Sequence, residues 1–259
     1  MKFVVFLFLS LLPQLGLAIV DGEAIVDNSF RQSVALVYKK DSTQSSGEIY
    51  CSGTLVGSRL VLTAAHCISL GAKAFKVSVE EFKKQTWVYV GETEGADDLP
   101  MIVPQFKNNR VIVHPINDSI YADAAIIELT EDVDTAKWGI SPAPVLIPTK
   151  ELIGKELIHV GYGQLINNGV KGNKSLMKLP LQQFNGYNGL GVGEHGVSGP
   201  GACHGDSGGS AYMTDNSGSL RFVGIEYGLS SNNCGQTATY FVPLTQKLIE
   251  WMKSYSAIF

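Results

Sequence analysis

Beyond residue 18 the chain is a succession of short apolar runs separated by Gly, Asn, Asp and Ser. The clearest are Ser33–Tyr38, Gly53–Val56, Arg59–Thr63, Trp87–Val90, Val111–Val113, Ala124–Leu129, Leu157–Val160 and Leu220–Ile225, and many are rich in Val and Ile. Branched side chains suit a pleated, half-buried surface, and the separating residues supply turns. The pattern predicts an antiparallel all-β protein, a sandwich or barrels. Near the C-terminus the period changes. Leu244, Leu248, Ile249, Trp251 and Met252 recur at helical spacing, which predicts an amphipathic helix packed on the body. Glu131–Pro148, with Pro142, Pro144 and Pro148, reads as a connector between two halves. Gly186–Gly201 is glycine-rich but lacks the Lys-Ser/Thr ending of a phosphate-binding loop, so it reads as a mobile surface loop.

The first 18 residues have a different character. Lys2 is followed by the apolar run Phe3–Leu12, which is too short to span a bilayer. Pro13 ends the run, and Gly16 and Ala18 place small residues before a cut after Ala18. Residues 1–18 are expected to be a signal peptide. No later apolar stretch has the length of a membrane span, so the product is expected to be secreted and soluble, with no membrane partner. An apolar content of 45% against 17% charged residues suits a globular chain and excludes a disordered one. Net charge is −4 with no long basic stretch, which argues against nucleic acid as a partner. The pairs Lys39-Lys40 and Lys83-Lys84 read as solvated.

Cys51, Cys67, Cys203 and Cys234 are the only cysteines. An even count in a secreted protein suggests two disulfides, and spacing leaves three connectivities open. No Cys-x-x-Cys pair occurs, which argues against a structural zinc site. Acidic residues near 80–98 form no calcium-ligand pattern, and neither metal nor cofactor is expected. The chemistry is carried by two strings. Gly205-Asp206-Ser207-Gly208-Gly209 holds a serine on a glycine-flanked turn, and Thr63-Ala64-Ala65-His66-Cys67 holds a histidine at the end of an apolar strand. A serine hydroxyl is a poor nucleophile until a positioned base takes its proton. The pair therefore points to acyl transfer.

With Ile19-Val20-Asp21-Gly22, Cys51-Ser52-Gly53-Thr54-Leu55, His114-Pro115, Asp123–Leu129 and Gly161-Tyr162-Gly163, these strings occur in an order that resembles the trypsin/chymotrypsin family of serine proteases. The resemblance spans essentially all of the chain after residue 18. It implies two six-stranded antiparallel Greek-key barrels, over residues 19–135 and 136–259, with a C-terminal helix and the active site between them. It implies His66, Asp123 and Ser207 as the triad, and the N–H groups of Gly205 and Ser207 as the oxyanion hole. The family has Asn and Ile where Ala122 and Ala124 flank Asp123, and Asp118 is a rival for the triad carboxylate. Cys51–Cys67 and Cys203–Cys234 are the implied disulfides. Ile19 and Asp206 are the implied activation pair, the new N-terminal ammonium meeting the carboxylate before the nucleophile. Signal peptidase itself would expose Ile19, with no zymogen stage. Partners are protein or peptide substrates and protein protease inhibitors, and the protein is expected to be a monomer.

Gly201 aligns with the floor of the primary specificity pocket, and Ala202 and Ala238 continue an uncharged lining, which favours an apolar or aromatic substrate side chain. His204 rims the pocket, whereas His114, His159 and His195 read as structural or exposed. The run Gly224-Ile225-Glu226-Tyr227-Gly228-Leu229 admits two alignments. Aligned on Tyr227-Gly228, Glu226 replaces a serine behind the triad. Aligned without a gap, Glu226 lies on the pocket wall, where it would bind a basic side chain, and Leu229 stands at the mouth. A one-residue shift exchanges the faces. A third reading leaves Glu226 facing solvent. Asn117-Asp118-Ser119 and Asn173-Lys174-Ser175 are glycosylation sequons, read as surface loops. Two other function classes remain. One is a non-catalytic binding protein on the same fold. The other is an α/β-hydrolase esterase, which the order His66, Asp123, Ser207 rejects.

Overall fold

The computed structural model describes residues 19–25, 29–45, 47–90, 105–116, 121–164, 171, 173–187, 190–195, 200–229, 234–235 and 238–255. Residues 1–18, Asn117 and Asp118 lie outside them. The chain runs through β1 (Glu23–Ala24), β2 (Ser33–Tyr38), β3 (Glu48–Gly57), β4 (Leu60–Thr63), α1 (Ala65–Ala74), α2 (Val79–Gln85), β5 (Thr86–Tyr89), β6 (Gln105–Val113), β7 (Ala125–Leu129) and α3 (Thr135–Trp138). It continues through β8 (Glu156–Gly161), β9 (Ser175–Tyr187), β10 (Leu190–His195), β11 (Ser210–Thr214), β12 (Leu220–Leu229), β13 (Thr239–Pro243) and α4 (Gln246–Tyr255).

Strands β2-β3-β4-β7-β6-β5 form a closed antiparallel barrel, sealed where β2 pairs with β5. The second sheet has the order β1-β9-β10-β13-β12-β11-β8, and β8 also pairs with β9, so β8 to β13 curl round on themselves. Curling removes the free edges that would otherwise template aggregation. The connector is strapped to both halves. Ala143 N–H donates to Leu55 O, Phe222 N–H donates to Pro144 O, and Leu146 N–H donates to Phe222 O. Helix α4 buries Leu248, Ile249 and Met252, and Arg110 donates to the Tyr255 carbonyl at its C-terminal end, where orphan carbonyls favour a cation.

The helix–strand punctuation departs from the sequence reading in two places. The histidine string does not end in a strand: α1 follows β4 directly, and α2 starts on a Ser78 cap whose hydroxyl accepts from Glu81 N–H. Both helices are anchored by an aromatic nest. Tyr38 stacks on Phe75 at 4.0 Å, Tyr50 meets Phe82 edge-on at 4.9 Å, and Phe82 is fully buried. The expected loop over 186–201 is in large part a hairpin, with Leu190 opposite Tyr187 and Gly191 opposite Gly186. Glycine weakens a strand but does not forbid one when the neighbouring strands supply the ladder. Lys39 is buried rather than solvated, its ammonium 4.4 Å from the Trp87 ring centre. The sequon at Asn173 is no open loop either. Asn173 is half-buried, and Ser175 is buried opposite Ala24 and Gly161.

The two barrels meet along a buried polar seam. The Ser33 hydroxyl bonds the Ser210 hydroxyl and the Tyr212 phenol, both at 2.8 Å, and Thr54 reaches Ser210 at 2.6 Å. Ser52 is its hub. Its hydroxyl donates to Gly205 O at 2.8 Å and accepts from Tyr162 N–H at 2.9 Å, and its N–H donates to Ser207 O at 2.9 Å. An unsatisfied buried polar group costs about 1–3 kcal/mol. Ser52→Ala should therefore lower the unfolding free energy by about 1–3 kcal/mol, read from the urea midpoint. An unchanged midpoint would show that the seam adds nothing to stability.

Candidate active site

Strand pairing brings two distant residues together. Thr63, the last residue of β4, lies opposite Ala125, the first of β7. The residues just outside that pair are the start of α1, with His66, and the approach to β7, with Asp123. Ala124 N–H donates to Ala122 O at 2.7 Å, so the chain makes a one-residue turn that presents Asp123. Ala122 and Ala124 are both fully buried, where larger side chains would need space. The Asp123 carboxylate binds His66 twice: Oδ1 accepts from His66 N–H at 2.8 Å, and Oδ2 accepts from Nδ1 at 2.5 Å. The N-cap residue Ala64 has no capping side chain, so Asp123 performs that role from a remote segment. The pairing sets the tautomer and leaves Nε2 as the outward nitrogen. The Asp123 side chain is 2% exposed and that of His66 23%.

Ser207 sits on the turn 204–208, between β10 and β11. It shares with His66 a cleft of about 470 Å³ that His204, Gly205 and the Cys51–Cys67 disulfide also line. Its hydroxyl donates to the Tyr227 carbonyl at 3.4 Å, a long contact. Gly208 has φ +82°, and a Cβ there would lie 2.1 Å from the Thr63 hydroxyl, so only glycine lets the turn press against the first barrel. Gly205 has φ +105°. The His204 carbonyl accepts from Gln164 N–H at 2.9 Å. A trans peptide sets its N–H opposite its C=O, so this contact turns Gly205 N–H away from Gln164. Among the described residues, Gly205 N–H and Ser207 N–H have no acceptor. Two backbone donors without an acceptor beside a serine suit the stabilisation of an oxyanion.

Asp206 lies beneath this turn, 1% exposed. Gly163 N–H donates to Oδ1 and Cys203 N–H to Oδ2, each at 2.8 Å. Burial pushes its carboxyl well above the ordinary carboxylate range, an effect those two donors partly offset. Ile19 is likewise buried, packed with Met177, Leu179 and Ala202. Its neighbour Val20 pairs with Gly201 through two backbone bonds of 3.1 and 3.2 Å.

Gly201, Ala202 and Ala238 are all buried, and Ala202 N–H lies 3.4 Å from the Thr239 hydroxyl. His204 is exposed. The second disulfide, Cys203–Cys234, joins this wall, and the pairing is the one the family resemblance implied, as is Cys51–Cys67. Tyr227, not Glu226, faces the triad: its ring meets His66 edge-on at 5.4 Å, and the Asp123 charge adds to burial in raising its phenol. Glu226 points the other way, into the second barrel, where it contacts His159. Glu226 and His159 are each 1% exposed, so the solvent-facing reading of Glu226 is overturned. Burial raises the Glu226 carboxyl well above its usual value and lowers the His159 imidazole to about 3, so each is driven toward its neutral form. His114 stacks edge-on against Trp251 at 4.8 Å, away from the cleft. The side chains of His195 and Leu229 lie outside the described residues. Sequence reasoning missed the support: Ser52, Gln164 and the partner of Glu226. Ser52 stood inside a recognised motif, and the other two left no sequence signal. Among the described residues no three of His, Cys, Asp and Glu converge as a metal site, and no helix is long and apolar enough to cross a membrane.

The family model described as Trypsin matches residues 19–252. Serine protease SP24D of Anopheles gambiae is 26% identical over 247 residues, covering 92% of this chain and 81% of its own length. Chymotrypsin-C of Mus musculus is 31% identical over 160 residues, 61% of this chain and 54% of its own. Chymotrypsin-like elastase family member 3B of Homo sapiens is 26% identical over 257 residues, 91% of this chain and 87% of its own. A match of that extent, on an architecture whose two halves meet at His66, Asp123 and Ser207, means that the chain belongs to the trypsin family of serine proteases.

Proposed function

We propose that this chain is a secreted serine endopeptidase that cleaves peptide bonds through an acyl-enzyme on Ser207, after apolar or aromatic side chains. One observation carries the reading: Asp123 holds His66 by two bonds in the cleft that Ser207 lines. Ser207 Oγ attacks the scissile carbonyl carbon, and His66 Nε2 takes the hydroxyl proton. The tetrahedral oxyanion is held by Gly205 and Ser207 N–H. His66 returns the proton to the leaving amine, and water then hydrolyses the ester by the same route. A non-catalytic binding protein would have no need of a tautomer-fixed histidine or of orphan donors beside a serine.

The uncharged residues Gly201, Ala202 and Ala238 support the apolar preference, with Tyr227 and Gly228 at the edge toward the nucleophile. Glu226 carries the second reading, a pocket for basic side chains, because it faces away from the triad. Its engagement with His159, and the drive of both groups toward neutrality, favour the first. The same reading makes 1–18 a cleaved leader, 19–135 and 136–259 the two barrels of a monomer, and Asn117 and Asn173 candidate glycan sites. Protein inhibitors would occupy the cleft as substrates do.

Activation follows from Asp206. A buried carboxylate needs a counter-charge. A chain cut before Ile19 would supply one as an N-terminal ammonium, with Ile19 already buried beside Ala202.

Digestion of an unbiased peptide library tests the function. Cuts after Phe, Tyr or Leu that vanish in Ser207→Ala are expected, and cuts after Lys or Arg would move the specificity to Glu226. No cleavage by folded protein starting at Ile19 would favour the binding-protein reading. Asp123→Asn should reduce kcat by about ten-thousandfold, the loss this exchange causes where a carboxylate fixes the histidine tautomer. Edman sequencing of the secreted protein should start at Ile19, and any other start removes the proposed pair. A free α-amine titrates near pH 7.7–8.0, and pairing with Asp206 raises that value. The contribution of the ammonium should therefore be complete below about pH 8 and be lost as pH rises through the raised value, read as an alkaline limb in kcat/KM. Activity that is flat to strongly alkaline pH would exclude the ammonium.

A further inference from the structure

The cleft beside the nucleophile is not the pocket of Gly201, Ala202 and Ala238, since none of these lines it. Instead it runs from Ser207 past the Cys51–Cys67 disulfide to Leu70 and Phe75, with Glu48 and Lys171 as its charged members. In acyl transfer the two substituents of the scissile carbonyl carbon leave Ser207 in different directions. If the acyl side chain enters the Gly201 pocket, the leaving amine and the residues after it lie along this cleft. That assignment rests on the endopeptidase reading.

Lys171 is the cation of this cleft. Its backbone pairs with Gln164, which also holds the His204 carbonyl, so the side chain is tied to the oxyanion turn. Its stem lies against Gly205: a Cβ there would be 3.2 Å from Lys171 Cδ. Among the described residues it makes no ion pair within 4.0 Å. Glu48 and Asp206 are the acidic groups whose charges reach it. Asp206 lies buried beneath the turn, and Glu48 is exposed to solvent. A half-buried charge acts through a lower dielectric than an exposed one, so Lys171 outweighs Glu48 in the cleft.

We infer that Lys171 selects substrates carrying an acidic side chain within the first two residues after the scissile bond. The apolar shelf of Leu70, Phe75 and the disulfide takes the neighbouring side chain, and Lys171 takes the carboxylate. Lys171 is thus a specificity residue on the leaving-group side, independent of the choice between Gly201 and Glu226 on the acyl side.

The test uses peptides identical up to the scissile bond, with Glu, Ala or Lys at each of the next two positions. In kcat/KM, Glu should exceed Ala at one position by about fivefold, the scale of a partly exposed ion pair, and the ratio should shrink in high salt. Lys171→Met should bring the ratio to unity and Lys171→Glu should invert it. Glu48→Gln, which leaves Lys171 in place, should widen it. Equal rates for Glu and Ala in the parent enzyme, or a preference that survives in Lys171→Met of unchanged melting temperature, would overturn the inference. Binding of the same peptides to Ser207→Ala, read by fluorescence anisotropy, measures the cleft without catalysis. If no peptide is cut, the endopeptidase reading falls, and the Glu-to-Ala binding ratio alone decides on Lys171.

Discussion

One buried hydroxyl joins the two halves of the candidate active site. Ser52 belongs to β3 of the first barrel, yet its side chain and N–H bind the carbonyls of Gly205 and Ser207 on the second. Its own carbonyl accepts from the Thr63 hydroxyl, one turn before His66. The nucleophile turn and the histidine helix are therefore referenced to the same residue. Neither barrel could fix that relation alone, because the turn has few apolar contacts of its own and glycine on both sides of the serine. Its conformation is imposed by partners that accept or donate at each carbonyl and amide.

The same economy recurs at Asp123. A helix start leaves orphan N–H groups, and α1 begins at alanines that cannot cap it. The carboxylate that satisfies the His66 N–H also satisfies the His66 ring, so helix stability and imidazole orientation are a single constraint. Register does the rest: β4 and β7 pair through Thr63 and Ala125, and a shift of one residue would turn Asp123 out of reach.

Much of this was legible in the sequence. β2 over Ser33–Tyr38 follows from its apolar run between turn residues and the C-terminal helix from its period, and the order of motifs carried the two-barrel expectation. The motif strings named the residues that the structure brings together at the cleft. Helices α1 and α2 were not legible, because α1 is held by Asp123 and an aromatic nest rather than by its own amphipathic pattern. The hairpin through Gly186–Gly193 was hidden for the opposite reason: its local propensity argues for a loop, and only the neighbouring strands override it. Gln164 and Lys171 could not be found from sequence, since their significance is a backbone pairing that flanks the turn, not a residue type.

Glu226 shows where sequence alignment reaches its limit. Both alignments of its strand were compatible with the motif, and they differ by which side chain faces His66. The choice is made by a bulge: β12 and β13 pair residue for residue up to Glu226 opposite Phe241, then shift so that Gly228 faces Tyr240. The extra residue is Tyr227, which swings to the triad and leaves Glu226 in the barrel interior. A carboxylate there is shut off from bulk solvent, and it contacts a histidine as deeply buried as itself. Asp206, in the same barrel, meets the same problem with two backbone donors. Two fully formed charges at that depth would each bear a desolvation cost of several kcal/mol, so burial drives both Glu226 and His159 toward their neutral forms. Glu226 is therefore not a fixed anion awaiting a basic ligand. A neutral Glu226 that faces the barrel interior supports the proposed apolar pocket at Gly201 over the proposed basic one.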